Sequence, residues 1–308
     1  MLGTMQKVLA IVGPTAVGKT ALAISLAQQF DGEIISGDSM QVYRHLDIGT
    51  AKATPVEQAQ AVHHLVDVRD VTEQFTVAQF VTAAQKLIAA IHRRGHLPII
   101  AGGTGFYLQA LFDGLKLGAD APGDPAVRER LQAEARQNSR QALWKRLQAL
   151  DPVAAAKIPV TNVRRTVRAL EVIEVTGQLF SHQDNQGPQY DERYLALNTD
   201  RALLYQRINQ RVDLMMQAGL LDEVRWLQEQ GGTALPPATG IGYRELLPVL
   251  DQPAKIPAAV DQIKQDSRHY AKRQLTWFRN QTTAEWFDLV QHPEERQKIE
   301  HEITAWLS

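Results

Sequence analysis

Residues 13–20 read GPTAVGKT, which places Lys19 and Thr20 where a polyphosphate needs them. The spacing is that of a phosphate-cradling loop, G-x-x-x-x-G-K-[ST]. Gly13 and Gly18 free the backbone to turn, and Pro14, Thr15, Ala16 and Val17 form the arch between them, whose N–H groups (Pro14 has none) point at phosphate oxygens. Lys19 brings a cation to the terminal phosphates, and Thr20 brings a hydroxyl for Mg²⁺. The motif specifies a polyphosphate and leaves open which one. Its flanks suit it. VLAIV (8–12) predicts a buried strand, and ALAISLAQQF (21–30) has helical spacing, so a helix N-terminus adds its positive end to the cradle.

Other constellations carry further chemistry. Asp38, in ISGDSMQVYRHLDIGTAK (35–52), falls just past the apolar run EIIS (33–36), where a parallel sheet delivers residues to a phosphate site. A carboxylate there can act as a general base toward an acceptor, or equally can serve as a turn or N-cap residue. Thr104 sits in a second Gly-rich turn, GGTGFYLQALFDG (102–114), which opens a helix bearing Phe106 and Tyr107. Arg164, Arg165 and Arg168, in VTNVRRTVRALEV (160–172), share overlapping helical faces, the pattern of an RNA contact or of a solvated face. The run SRHYAKRQLTWFR (267–279) interleaves Arg268, Lys272, Arg273 and Arg279 with Tyr270, Trp277 and Phe278, as single-stranded nucleic-acid sites do. Arg201, Arg207 and Arg211 lie on one predicted helix, and one of them could reach the phosphates from the side opposite Lys19. His63 and His64 have no partners at metal-ligand spacing, and a structural role is expected for them.

These residues must be positioned by a mixed scaffold. Over 1–115, strand-like runs alternate with helical ones (HHLVDV, 63–68; FTVAQFVTAAQKLIAAIHRRG, 75–95; LPIIAGG, 97–103), which argues for an α/β core with a parallel sheet flanked by helices. A Gly/Pro/Asp-rich stretch at 114–125 opens an all-helical inserted lobe over 116–192. RYLALN (193–198) then returns to the sheet, and core completion with C-terminal helices fills 193–308, including a helix over 257–280 and an edge strand EWFDLV (285–290). The 308 residues carry a net charge of −1, so no global basic excess marks a nucleic-acid binder. There is no cysteine, hence no disulfide, thiolate metal site or Cys nucleophile. No apolar run reaches a membrane span, and a cytoplasmic monomer is the expectation. On these residues alone a small-molecule kinase or an RNA-binding ATPase remains open beside other phosphate-loop chemistry. LPIIAGG ends in glycine rather than the Asp usual in regulatory ATPases. No D-D-x-x-D motif is present, which argues against Mg²⁺-aspartate prenyl synthases.

The set GPTAVGKT, SGDSMQVYRHLDIGTAK, HHLVDV, AGGTGFYL, RALEV, GLLDEVR, GYRE and YAKRQLTWFR, in that order over about 8–280, resembles the bacterial tRNA dimethylallyltransferase family. The resemblance implies transfer of a dimethylallyl group from dimethylallyl diphosphate to N6 of the adenosine beside the tRNA anticodon, with Mg²⁺ as cofactor. It implies Asp38 as general base, Thr104 and Lys19 at the reacting centre, and residues 13–20 with Arg211 on the diphosphate. It implies that Asp38, Ser39, Met40, Gln41 and Thr104 hold the flipped base. Arg128, Arg164, Arg165, Thr166, Val167, Arg168, Lys272 and Arg273 are then the expected tRNA contacts. Two positions depart from the family pattern: Asn162 stands where Asp is common, and Glu245 where Gln is common.

Overall fold

The structure, a computed structural model, describes residues 5–115, 123–182 and 187–308. Its main elements in chain order are β1 (Lys7–Val12), α1 (Lys19–Gln29), β2 (Gly32–Ser36), α2 (Pro55–Gln58), β3 (His63–His64), α3 (Val77–Arg93), β4 (Leu97–Ala101) and α4 (Gly105–Phe112). Then follow α5 (Pro125–Asn138), α6 (Arg140–Leu150), α7 (Pro152–Lys157) and α8 (Val163–Thr176). The chain ends with β5 (Asp191–Leu197), α9 (Arg201–Gln217), α10 (Leu220–Glu229), α11 (Tyr243–Leu246), α12 (Ile256–Gln281), β6 (Glu285–Phe287) and α13 (Glu295–Leu307).

The six strands form one parallel sheet in the order β3-β2-β4-β1-β5-β6. β1 lies inside it, with Leu9 opposite Ile99 of β4 on one side and Arg193 of β5 on the other. Both of its faces are covered, so Val8 to Val12 are fully buried, the reason this strand reads as an unbroken apolar run. Helix α3 shows how the sheet is covered. Thr76 and Gln79 form a reciprocal capping box at its start, and Phe80, Ala84, Ile88 and Ile91 make its buried face. Each of the three large side chains gains roughly 1.5–3 kcal/mol by leaving water.

Two strands are shorter than their apolar runs predict. β3 stops at His64 because Leu65 (φ 59°) and Asp67 (φ 54°) enter the left-handed region and turn the chain out of the sheet. β6 stops at Phe287 because the Asp288 carboxylate accepts the N–H groups of Val290 and Gln291, both at 3.1 Å, and closes a turn.

The chain divides into two compact units, Met1–Leu111 with Tyr190–Ser308, and Phe112–Gln189. The second unit is helical among its described residues. Leu131, Leu143, Leu147, Ile158 and Leu170 form its core. Its first and last residues meet, the N–H of Gln189 donating to the carbonyl of Phe112 at 3.1 Å. Asn162 caps α8 through its side chain, which accepts the N–H of Arg165 at 3.2 Å, so the change from Asp preserves the cap.

Candidate active site

The loop 13–20 leaves the buried end of β1 and runs into α1. Gly13 has φ +136°, and a Cβ there would lie 2.3 Å from the carbonyl oxygen of Leu197 in β5. Gly18, at φ +97°, starts α1 with no side-chain cap, so the leading N–H groups of an eleven-residue helix meet the loop uncapped. Lys19 folds back, its ammonium donating to the Pro14 carbonyl at 2.6 Å. This arch borders a cavity of about 910 Å³, with Thr15, Ala16, Gly18, Lys19 and Thr20 on its wall.

Asp38 lies on the same wall, as do Ser39, Met40 and Gln41. Its Oδ1 accepts the N–H of Met40 at 2.8 Å, so the carboxylate that lines the cavity also closes a turn. Burial raises the Asp38 pKa, opposed by the Met40 N–H and by the charges of Lys19 and Arg211. Burial, reinforced by Arg211, lowers Lys19 to about 8, with Asp38 acting the other way. Arg211 is lowered by burial while Asp38 supports its charge. The three ionisable groups thus respond to one another around one cavity, one anion between two cations.

Of the three arginines on α9, the helix sorts two to this side. Arg207 and Arg211, four residues apart, both line the cavity, and the Nε–H of Arg207 donates to the Ala16 carbonyl at 2.8 Å. Arg201 stacks elsewhere, over Tyr205. Thr104 reaches the segment after β2 through its hydroxyl, which accepts the N–H of Ser39 at 3.3 Å. Gln41 is committed within its own loop: Oε1 accepts from the Ser36 hydroxyl at 2.9 Å, and Nε2 donates to the carbonyls of Thr50 (3.4 Å) and Ala51 (3.3 Å).

The remaining candidates divide. In the helical unit Arg164 and Arg165 are exposed, and Arg165 lies 6.0 Å from the centre of the Phe180 ring. Thr166 and Val167 are buried at 1% and 3% exposure. The Thr166 hydroxyl donates to the Asn162 carbonyl at 3.2 Å, and Val167 packs in the lobe core. Helical periodicity turns these two side chains inward, so any contact they make with RNA runs through the backbone. Arg128 grips Glu171 with both Nε (3.3 Å) and Nη2 (2.9 Å), and Arg168 adds Nη1 at 3.0 Å to the same fully buried carboxylate. Lys272 is exposed, and Arg273 lines the cavity with its guanidinium 5.5 Å from the Tyr270 ring centre. His64 joins Arg94 on buried Glu33. No group of three His, Cys, Asp or Glu residues could hold a metal ion among the described residues.

Sequence reasoning missed Glu223, Tyr243 and Gln274. Glu223 accepts the backbone N–H groups of Asp47, Ile48 and Gly49 as well as the Tyr243 hydroxyl. Gln274, 5% exposed, donates to the Gly103 carbonyl at 3.0 Å. Tyr270, also on α12, has its hydroxyl pushed up to about 12 by burial and by Asp38.

A phosphate loop on an inner strand of an all-parallel sheet, with a carboxylate lining the same cavity, defines a P-loop enzyme. The chain belongs to the IPP transferase family, whose model matches residues 41–281. It is 76% identical over 304 residues, 99% of each chain, to a tRNA dimethylallyltransferase of Levilactobacillus brevis. It is 54% identical to one of Limosilactobacillus reuteri, covering 98% of this chain and 99% of the relative. Among solved structures, the full-length tRNA isopentenylpyrophosphate transferase of Bacillus halodurans is 43% identical, with a TM-score of 0.74 and coverage of 97% and 96%. A eukaryotic dimethylallyltransferase acting on tRNA is 33% identical with a TM-score of 0.78, over 89% of this chain and 70% of that one.

Proposed function

We propose that this protein transfers a dimethylallyl group from dimethylallyl diphosphate to N6 of the adenosine on the 3′ side of the tRNA anticodon. The observation that carries the reading is the placement of Asp38 on the wall of the cavity that holds Lys19 and Arg211. The N6 lone pair attacks the allylic carbon, the C–O bond to diphosphate breaks, and an N6 proton passes to Asp38. An aromatic amine is a poor nucleophile, so a base of raised pKa suits the proton transfer. The departing diphosphate gains charge on its bridging oxygen. The loop N–H groups, Lys19 and Arg211 are fixed in advance to meet that charge.

The donor set fits Mg²⁺ bound mainly by substrate. The protein offers the Thr20 hydroxyl at the loop and no carboxylate cluster among the described residues. Mg²⁺ characteristically keeps waters and takes its other ligands from phosphates. When bound it would neutralise charge on the diphosphate oxygens.

The acceptor base lies inside a stacked loop and must be extruded to reach Asp38. Ser39 and Met40 on the cavity wall would receive it, with Thr104 holding Ser39 in place. Arg164 and Arg165 on α8, with Lys272 and Arg273 on α12, are the side chains proposed to meet tRNA. Arg128 and Arg168 act there while tied to Glu171. The helical unit is the proposed anticodon-arm module, and the protein is proposed to work as a monomer in the cytoplasm. No helix among the described residues is long and apolar enough to cross a membrane.

The test incubates purified protein, Mg²⁺, labelled dimethylallyl diphosphate and unmodified tRNA, with and without ATP. Label enters tRNA without ATP, and pyrophosphate inhibits. A strict need for ATP, or phosphate transfer to a small molecule, would overturn the reading in favour of a kinase.

A further inference from the structure

A second cavity, of about 730 Å³, opens where β5 and β6 end, between the first turn of α9 and the last turns of α12. Helix α12 borders both cavities. Tyr270, Arg273 and Gln274 face the loop cavity, whereas Lys272, Thr276 and Arg279 face this one. The basic–aromatic run 267–279 is thereby divided between two sites, while Phe278 is buried and Trp277 stands edge-on to Phe106.

The floor of the second cavity is apolar, made by Leu204, Leu275 and Phe287, and its walls carry Tyr205 and Trp286. The Arg201 guanidinium lies 5.2 Å from the centre of the Tyr205 ring, and that of Arg279 lies 5.4 Å from Trp286. Neither arginine, nor Lys272, enters an ion pair among the described residues. The carboxylates in the same cleft already serve the backbone. Asp200 caps α9 through the N–H groups of Ala202 (2.8 Å) and Leu203 (3.2 Å). Asp288 accepts from Thr199 and Gln291 as well as from its turn, and Glu295 accepts the N–H of Asp288 at 2.9 Å.

Flat rings, uncommitted guanidinium groups and an apolar floor are the recognition chemistry of a nucleotide. The base stacks on a ring or a guanidinium plane, and the phosphate takes the cations. We propose that this cavity is a second ligand site, taking one nucleobase with its attached phosphate, distinct from the loop that holds the donor diphosphate. A nucleotide within an RNA strand and a free nucleoside monophosphate offer the same chemistry. The proposal does not depend on prenyl transfer, and its test is a binding measurement with no turnover.

The test uses the full chain with the phosphate loop occupied by pyrophosphate and Mg²⁺, which keeps probe phosphates out of the loop, and the two variants report binding at the second cavity. AMP and a short oligoadenylate are titrated by calorimetry into the native protein and into Arg201→Gln and Arg279→Gln, both changes at exposed positions. The expected result is single-site binding of at least one probe that weakens tenfold or more in each variant, with melting temperatures unchanged. Binding of the oligonucleotide alone assigns an RNA strand, and equal binding of AMP assigns a free nucleotide. Failure of the native protein to bind either probe, or undiminished binding by either variant, overturns the site.

Discussion

The carboxylate of Glu223 accepts the backbone N–H of Gly49 at 2.8 Å across 174 residues of sequence, and its other oxygen takes those of Asp47 (2.7 Å) and Ile48 (2.8 Å). The Tyr243 hydroxyl completes the set at 2.7 Å. One side chain on α10 thereby fixes the loop that closes one wall of the cavity beside the phosphate loop. Gln41 ties that loop back to β2 through Thr50, Ala51 and Ser36. Glu223→Gln sets an NH₂ group against backbone donors, at a cost of ~1–3 kcal/mol. A lowered melting temperature by circular dichroism and a raised KM for tRNA are expected. An unchanged melting temperature together with an unchanged KM would remove Glu223 from this role.

Asp38→Asn keeps the shape and removes the proposed base. Turnover should fall about 10²–10⁴-fold, the usual range for losing a general base, while pyrophosphate binding persists. Single-turnover kinetics on preformed complex separate the two effects, and a near-native chemical rate would assign Asp38 to the turn alone.

The same groups set a pH profile. Lys19 carries its charge below about 8 and loses it as pH rises, so kcat/KM for the donor should fall on that alkaline side. Asp38, raised by burial, should protonate at higher pH than an ordinary carboxylate as pH falls, which sets the acid limb. Lys19→Arg should move the alkaline limb upward. A limb that stays in place would show that another group titrates there.

In the phosphate loop, Gly13→Ala and Gly18→Ala should differ. Both carry positive φ, but only at Gly13 does the new methyl meet backbone, 2.3 Å from Leu197 O, whereas nothing lies within 4 Å at Gly18. Gly18→Ala should therefore fold with backbone strain of ~1–3 kcal/mol. Gly13→Ala must displace the end of β5, and it should be the less stable of the two in urea.

Arg165 and Arg128 should also part company. Arg165→Ala removes an exposed cation, so tRNA binding should weaken and its salt dependence drop by about one unit of slope per lost phosphate contact. Arg128→Ala takes one of two guanidinium partners from the buried Glu171 carboxylate, which keeps Arg168 and the Asp124 N–H, so a stability loss below the ~3–5 kcal/mol of a fully stranded buried charge is expected on chemical denaturation. Equal melting curves for the two variants would contradict the assignment.

Legibility followed the range of each interaction. β1, the loop and α1 are contiguous and carry strong local periodicity, so strand, turn and helix could be read directly. Asp38 was legible because strand ends in a parallel sheet converge on one edge. Which of Arg201, Arg207 and Arg211 turns toward the loop was not legible, because all three share one helix and only the packing of that helix puts Arg207 and Arg211 on the cavity. Glu223 was not legible, since its three backbone partners contribute N–H groups and no side-chain signature. The burial of Thr166 and Val167 was not legible because a motif names consecutive residues, while a helix of about 3.6 residues per turn buries some of them and exposes Arg164 and Arg165. β3 was overextended because nothing in HHLVDV announces positive φ at Leu65 and Asp67.

The hydrogen bond from Gln189 to Phe112 has an architectural consequence. An excursion of some eighty residues departs and returns at one point, so the P-loop core threads past it as though bridged by a short hairpin. A cassette joined in this way can lengthen, shrink or diverge without rerouting a single strand of its host. Selection can then act on the inserted unit and on its host through separate sets of substitutions.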